Sequence, residues 1–103
     1  MLGLGKWECK VKALFFSGEA VLEIYDNDGE YGFRIEVEDF KNPEIIVKDV
    51  EVDDDTLKAT VQVDLLPDKD IIAEMEFDGD SFDGFLKVPL LGKVKLKNCK
   101  KIG

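Results

Sequence analysis

Apolar and polar residues alternate with a period of two along most of the chain, the pattern of strands that bury one face. Trp7, Cys9, Val11, Ala13 and Phe15 share one parity and Lys6, Glu8, Lys10 and Lys12 the other, up to a turn at Ser17-Gly18. Ala20, Leu22 and Ile24 alternate with Glu19 and Glu23 before Asn27-Asp28-Gly29, residues that tolerate the positive φ of a tight hairpin. Tyr31, Phe33, Ile35 and Val37 mark a third strand that ends before Asn42-Pro43. A fourth runs from about Pro43 to Asp53, and its apolar parity changes between Ile45 and Val47 on one side and Val50 and Val52 on the other, which predicts a bulge near Lys48. Leu57, Ala59, Val61, Val63 and Leu65 make the fifth strand; Ile71, Ala73, Met75 and Phe77 make the sixth. Ser81 to Val88 is the seventh. In the eighth, Val94, Leu96 and Asn98 fall on the inward parity and Lys93, Lys95 and Lys97 on the outward one.

Short connections and no helical period make every neighbouring pair antiparallel, so the strands form a meander. An even strand count lets the eighth strand pair with the first and removes the sheet edges. The expected fold is all-β: an eight-stranded antiparallel up-and-down meander closed into a small barrel. A two-layer β-sandwich of the same strands buries the same faces and stays open as the alternative.

At 103 residues the chain is read as a single domain over its whole length. Histidine is absent, which excludes Ser-His-Asp and Cys-His nucleophiles and every histidine-based metal site. No apolar run is long enough for a signal-peptide core or a membrane span, so a cytoplasmic protein is expected. Its two cysteines, Cys9 inward and Cys99 on the outward parity of the lysines, are then expected as free thiols. The acidic turns Asp26-Asn27-Asp28-Gly29, Asp53-Asp54-Asp55 and Asp78-Gly79-Asp80 lack the spacing of a calcium loop. The remaining acids lie on outward parity or in turns, so no pair suits acid-base catalysis. No catalytic residue, metal or cofactor is expected, and the protein is read as not an enzyme.

The inward parity collects Trp7, Phe15, Tyr31, Phe33, Met75, Phe77 and Phe82, and an eight-stranded barrel can fill itself with such residues or hold one small ligand among them. Charge is unevenly spread: residues 19–83 carry −17, residues 1–18 carry +2 and residues 84–103 carry +6, for a net −9. Pairing of the first and last strands would set Lys10, Lys12, Lys93, Lys95 and Lys97 on one outer face as a basic seam fit for an acidic protein surface. Nucleic acid is a poor match, because overall repulsion is strong and the chain has one arginine. Leu14, Phe16, Val21 and Tyr25 lie on the outward parity of the first two strands and form a candidate homodimer patch.

Gly5-Lys6-Trp7 resembles the Gly-x-Trp that opens the first barrel strand of lipocalins and their calycin relatives. The second half, from Val50 through Asp78-Gly79-Asp80-Ser81-Phe82-Asp83-Gly84 to Pro89-Leu90-Leu91-Gly92-Lys93, resembles short bacterial lipocalin-like domains. The Thr-Asp-Tyr motif, the late arginine that packs on the tryptophan and the helix after the barrel are absent; Lys100 or Lys101 is expected to cover Trp7 instead. The resemblance implies a lipocalin-like barrel that binds a small apolar or amphipathic molecule in its cup, with Trp7 near the closed end. A protein-interaction or oligomerisation module with a self-filled core, acting through the basic seam or the outer apolar patch, is the alternative.

Overall fold

The computed structural model describes residues 1–12, 17–37, 44–64, 68–90 and 92–103. They form eight strands: β1 (Gly5–Lys12), β2 (Ser17–Asn27), β3 (Glu30–Val37), β4 (Ile45–Asp53), β5 (Thr56–Val63), β6 (Ile71–Asp78), β7 (Ser81–Val88) and β8 (Gly92–Lys101). All ladders are antiparallel, and the sheet runs in the order β3-β2-β1-β8-β7-β6-β5-β4. The first and last strands therefore pair as the meander requires, and the sheet curls into a nearly closed barrel. Its edges do not vanish; they are moved to β3 and β4, between which the described residues form no ladder.

Turn chemistry sets the hairpins. Asp28 and Gly29 both hold positive φ, 56° and 92°, the geometry that matches the twist of two paired strands, and the Asp26 carboxylate accepts the Gly29 N–H at 2.7 Å. The acidic residues of this turn thus serve its backbone.

Two bulges set which side chains enter the barrel. In β4 the register against β5 shifts between Val47 and Asp49, which leaves Lys48 as the extra residue and puts both Val47 and Val50 against the core. Lys48 then reaches Asp70 at 3.1 Å, and Gln62 reaches the same oxygen at 3.0 Å. These two hydrogen bonds hold the Asp70 carboxyl below the usual carboxylate range.

The second bulge overturns an expectation. Asn98 has φ of 52° and is exposed, and the pairing of β8 shifts by one residue against both β1 and β7. The Asn98 N–H, freed from the ladder, donates to Asp83 Oδ1 at 2.9 Å. One extra residue on a strand reverses the parity beyond it. Asn98 therefore faces out and Cys99 faces in, fully buried, the reverse of strict alternation.

Candidate functional site

One end of the barrel is sealed by aromatic rings. Trp7 is 2% exposed, its ring centroid 5.2 Å from those of Phe77 and Phe82, which are 5.0 Å from each other. Tilted and edge-on contacts of this kind are favourable beyond the area they bury. The residues before β1 lie across this cluster: Trp7 Nε1 donates to the Gly3 carbonyl at 2.8 Å and the Tyr31 hydroxyl to the Leu2 carbonyl at 2.9 Å. Burial pushes the Tyr31 phenol above the ordinary tyrosine range.

The Gly-x-Trp motif has a steric reason. Gly5 has φ of 134°, and a Cβ there would lie 2.7 Å from the Gly103 carbonyl oxygen. That carbonyl accepts the Lys6 N–H at 3.1 Å while Ile102 N–H donates to the Lys6 carbonyl at 2.8 Å, so the last residues extend the β1–β8 seam over the glycine. Lys101 is the register partner of Trp7, and its methylenes lie beside Gly5.

Phe33 and Met75 are buried in the same core, the Phe33 ring parallel to that of Tyr31 at 6.0 Å. Beyond the aromatic layer the wall residues become small. Cys9 faces Ala20 across β1–β2, and Ala59 faces Ala73 across β5–β6. At the far end, which receives the connections β1–β2, β3–β4, β5–β6 and β7–β8, the apolar residues Val11, Ile45, Val47, Val63, Leu86 and Val88 are only partly buried. On the edge strand β4, Ile46 near this end faces outward and is 56% exposed, and Val52, beside Leu57 at the opposite, Trp7 end, is 49% exposed. The candidate interior residue Phe15 and the candidate surface residues Leu14 and Phe16 lie outside the described residues.

No described polar or charged side chain is buried. The interior thus contains no described carboxylate, amine or guanidinium to meet a ligand's charge, and the Tyr31 hydroxyl is already donated to backbone.

Cys9 and Cys99 lie together inside, both thiols, within hydrogen-bonding reach of each other. The hydrogen bond with Cys9, and then burial, hold Cys99 protonated far above the normal thiol range. Sequence alternation hid this pairing, because only the Asn98 bulge turns Cys99 inward.

On the outside, β1 and β8 bring the expected lysines together: Lys10 stands opposite Lys97 and Lys12 opposite Lys95, all exposed. Structure adds members that parity alone did not single out. Lys87 stands opposite Lys93, and Phe85 lies between them with Lys93 Nζ 4.1 Å above its ring centroid. Along β2, Tyr25 covers Gly32, where a Cβ would collide with its ring, and carries the Arg34 guanidinium on its face at 5.0 Å. Arg34 in turn pairs with Glu23 at 2.7 Å. Val21, half-buried, sits between Glu8 and Glu36.

No family model matches the chain, and no curated protein matches it. Its fold is similar to the crystal structure, from a dimer sample, of a secretary abundant heat soluble (SAHS) protein from Ramazzottius varieornatus, with a TM-score of 0.65 and 22% identity over 97% of this chain and 95% of that one. The likeness is one of fold.

Proposed function

We propose that this barrel is a non-enzymatic binding cup for a small apolar or amphipathic molecule, entered from the end opposite Trp7. The observation that carries the reading is the gradient of burial along the barrel. Around Trp7, Leu57, Met75 and Phe82 the exposure is 0–2%, whereas at the far end Val11, Ile45, Val47, Val63, Leu86 and Val88 stay partly open beside the buried Val61 and Ile71, and the β3 and β4 edges form no described ladder. Side chains such as Leu86 and Val88 gain roughly 25 cal/mol for each Å² of apolar surface a guest removes from water. With no described charge inside, the apolar part of the guest enters and any ionic head stays at the rim, where water solvates it. The fold likeness to another barrel of nearly the same length supports the architecture of a cup and is silent on its content. The cytoplasmic setting and the bacterial lipocalin-like affiliation belong to the same reading and rest on the sequence.

The test uses N-phenyl-1-naphthylamine, a neutral apolar fluorophore whose emission rises on leaving water. Saturable one-to-one binding is expected. Leu86→Arg or Val88→Arg at the far end should abolish it without lowering the melting temperature by more than a few degrees. Absence of saturable binding, or binding indifferent to both arginines, would sink the proposal.

A further inference from the structure

The outer face of β6, β7, β8 and β1 carries two opposed columns of charge. Lys93, Lys95 and Lys97 form one bank of a groove of about 650 Å³, and Glu74, Glu76 and Asp83 form the other, with Gly84 and Phe85 between them. Gly84, on the inward parity opposite Met75, lets β7 pack close against β6 beneath this face, because a Cβ there would collide with the Glu74 carbonyl oxygen.

Each bank opposes like charges. Lys10 faces Lys97, Lys12 faces Lys95, Lys87 faces Lys93, and Glu76 faces Asp83. Like charges directly opposite on neighbouring strands destabilise a sheet. The two banks do not neutralise each other either: the ion pairs among the described residues are Arg34–Glu23 and Lys48–Asp70, both elsewhere. Among the described residues the counter-charges directly opposite are Lys58 beside Glu74 and Glu19 beside Lys10, neither in an ion pair, so most of the charge on both sides of the groove is left without a close partner.

A simple acidic partner would meet Glu74 and Glu76 as well as the lysines, and a simple basic partner the reverse. A surface with an acidic column beside a basic one is matched on both columns by its own copy rotated through a two-fold axis. We propose that this face is a homodimer interface in which the lysine column of each copy lies on the Glu74–Glu76 bank of the other, with the axis passing near Phe85. The surface is distinct from the Val21 and Tyr25 face, where Tyr25 is already engaged by Gly32 and Arg34. Four strands about 4.8 Å apart offer less than the roughly 800 Å² per partner of a standard stable complex, so the dimer is weak and salt-sensitive.

Sedimentation equilibrium tests the proposal at concentrations up to about 1 mM, in low and in 0.5 M salt, with two variants. Lys95→Glu/Lys97→Glu makes both banks acidic, and Glu74→Lys/Glu76→Lys makes both basic. The first converts the Lys12–Lys95 and Lys10–Lys97 repulsions into attractions within the chain, so folding is not at risk, and a thermal melt verifies it for both. Wild type should dimerise at low salt and lose at least tenfold in affinity at high salt. Each variant alone should be monomeric, and an equimolar mixture should give a heterodimer tighter than the wild-type homodimer. A wild type that stays monomeric throughout, a dimer that survives either reversal, or a mixture that fails to pair would each overturn the interface.

Discussion

Replacing Asn98 tests the bulge on which the interior of β8 depends. The residue is exposed, and its backbone supplies the hydrogen bond to Asp83 Oδ1, so a substitution there changes little except the cost of holding φ at 52°. Asparagine tolerates the left-handed region; glycine tolerates it better; a β-branched side chain is an outlier there, costing about 2 kcal/mol more. Asn98→Gly should therefore lie within about 0.5 kcal/mol of wild type. Asn98→Val should lose about 2 kcal/mol, and with roughly 2.1 cal/mol/K of unfolding entropy per residue this lowers the melting temperature by about 10 °C. Thermal melts followed by circular dichroism give the size of the loss, and labelling of the native protein with an aromatic disulfide reagent shows how the chain yields. If strain is simply absorbed, Cys9 and Cys99 both stay protected; if the strand reverts to strict alternation, Cys99 turns outward and reacts within minutes. An Asn98→Val protein that melts within 2 °C of wild type with both thiols protected would refute the assignment of parity to this bulge.

Trp7→Ala should cost about 3–5 kcal/mol, the range for deleting a large buried aromatic, read from the urea midpoint by circular dichroism; a loss below 1.5 kcal/mol would deny the aromatic cluster its sealing role. Gly5→Ala should cost at least about 2 kcal/mol, because positive φ and the Gly103 carbonyl both oppose a Cβ. Stability should also fall in alkali. The unfolded chain releases the Cys99 proton near pH 8.5 while the folded chain keeps it, so the unfolded state binds fewer protons and each pH unit above that removes about 1.4 kcal/mol. By pH 10 the wild type should have lost about 2 kcal/mol more than Cys99→Ala; parallel pH profiles for the two proteins would contradict the burial of this thiol.

Much of this barrel is legible in the chain because strand parity leaves a direct mark. The Lys48 bulge is visible from Val47 and Val50, apolar residues that flag the inward face on either side of it. The Asn98 bulge has no such flag: Lys97, Asn98 and Lys100 are polar, and the one residue that reports the change, Cys99, is equally at home in either environment. Parity also places Trp7, Tyr31, Phe33, Met75, Phe77 and Phe82 within, where the structure has them, yet it cannot distinguish a ring that packs the barrel from one that meets a guest. The groove escaped because Glu74, Glu76, Phe85 and Lys87 each read as ordinary outward residues, and only the register between strands sets the columns side by side.

The position of the gap has a cause in charge. Sheets leave edges unpaired when bulges and like charges make pairing costly. Edge strand β4 carries the Lys48 bulge and then Asp49, Glu51 and Asp53, while β3 carries Glu30 and Glu36 on its outward parity. The cations on these two strands are already engaged, Arg34 by Glu23 and Lys48 by Asp70. The two edges that remain are therefore both acidic, and closing the barrel between them would oppose like charges. Asp49→Lys/Asp53→Lys reverses one edge at positions paired only with Thr60 and Thr56, so the rest of the sheet feels little. The edges should then attract: amide exchange in β3 and β4 should slow by about tenfold, corresponding to roughly 1.4 kcal/mol of added protection. Entry of the naphthylamine probe should slow with it. Unchanged exchange in the doubly reversed protein would mean that the gap is held by the β4 bulge alone and that charge across it is incidental.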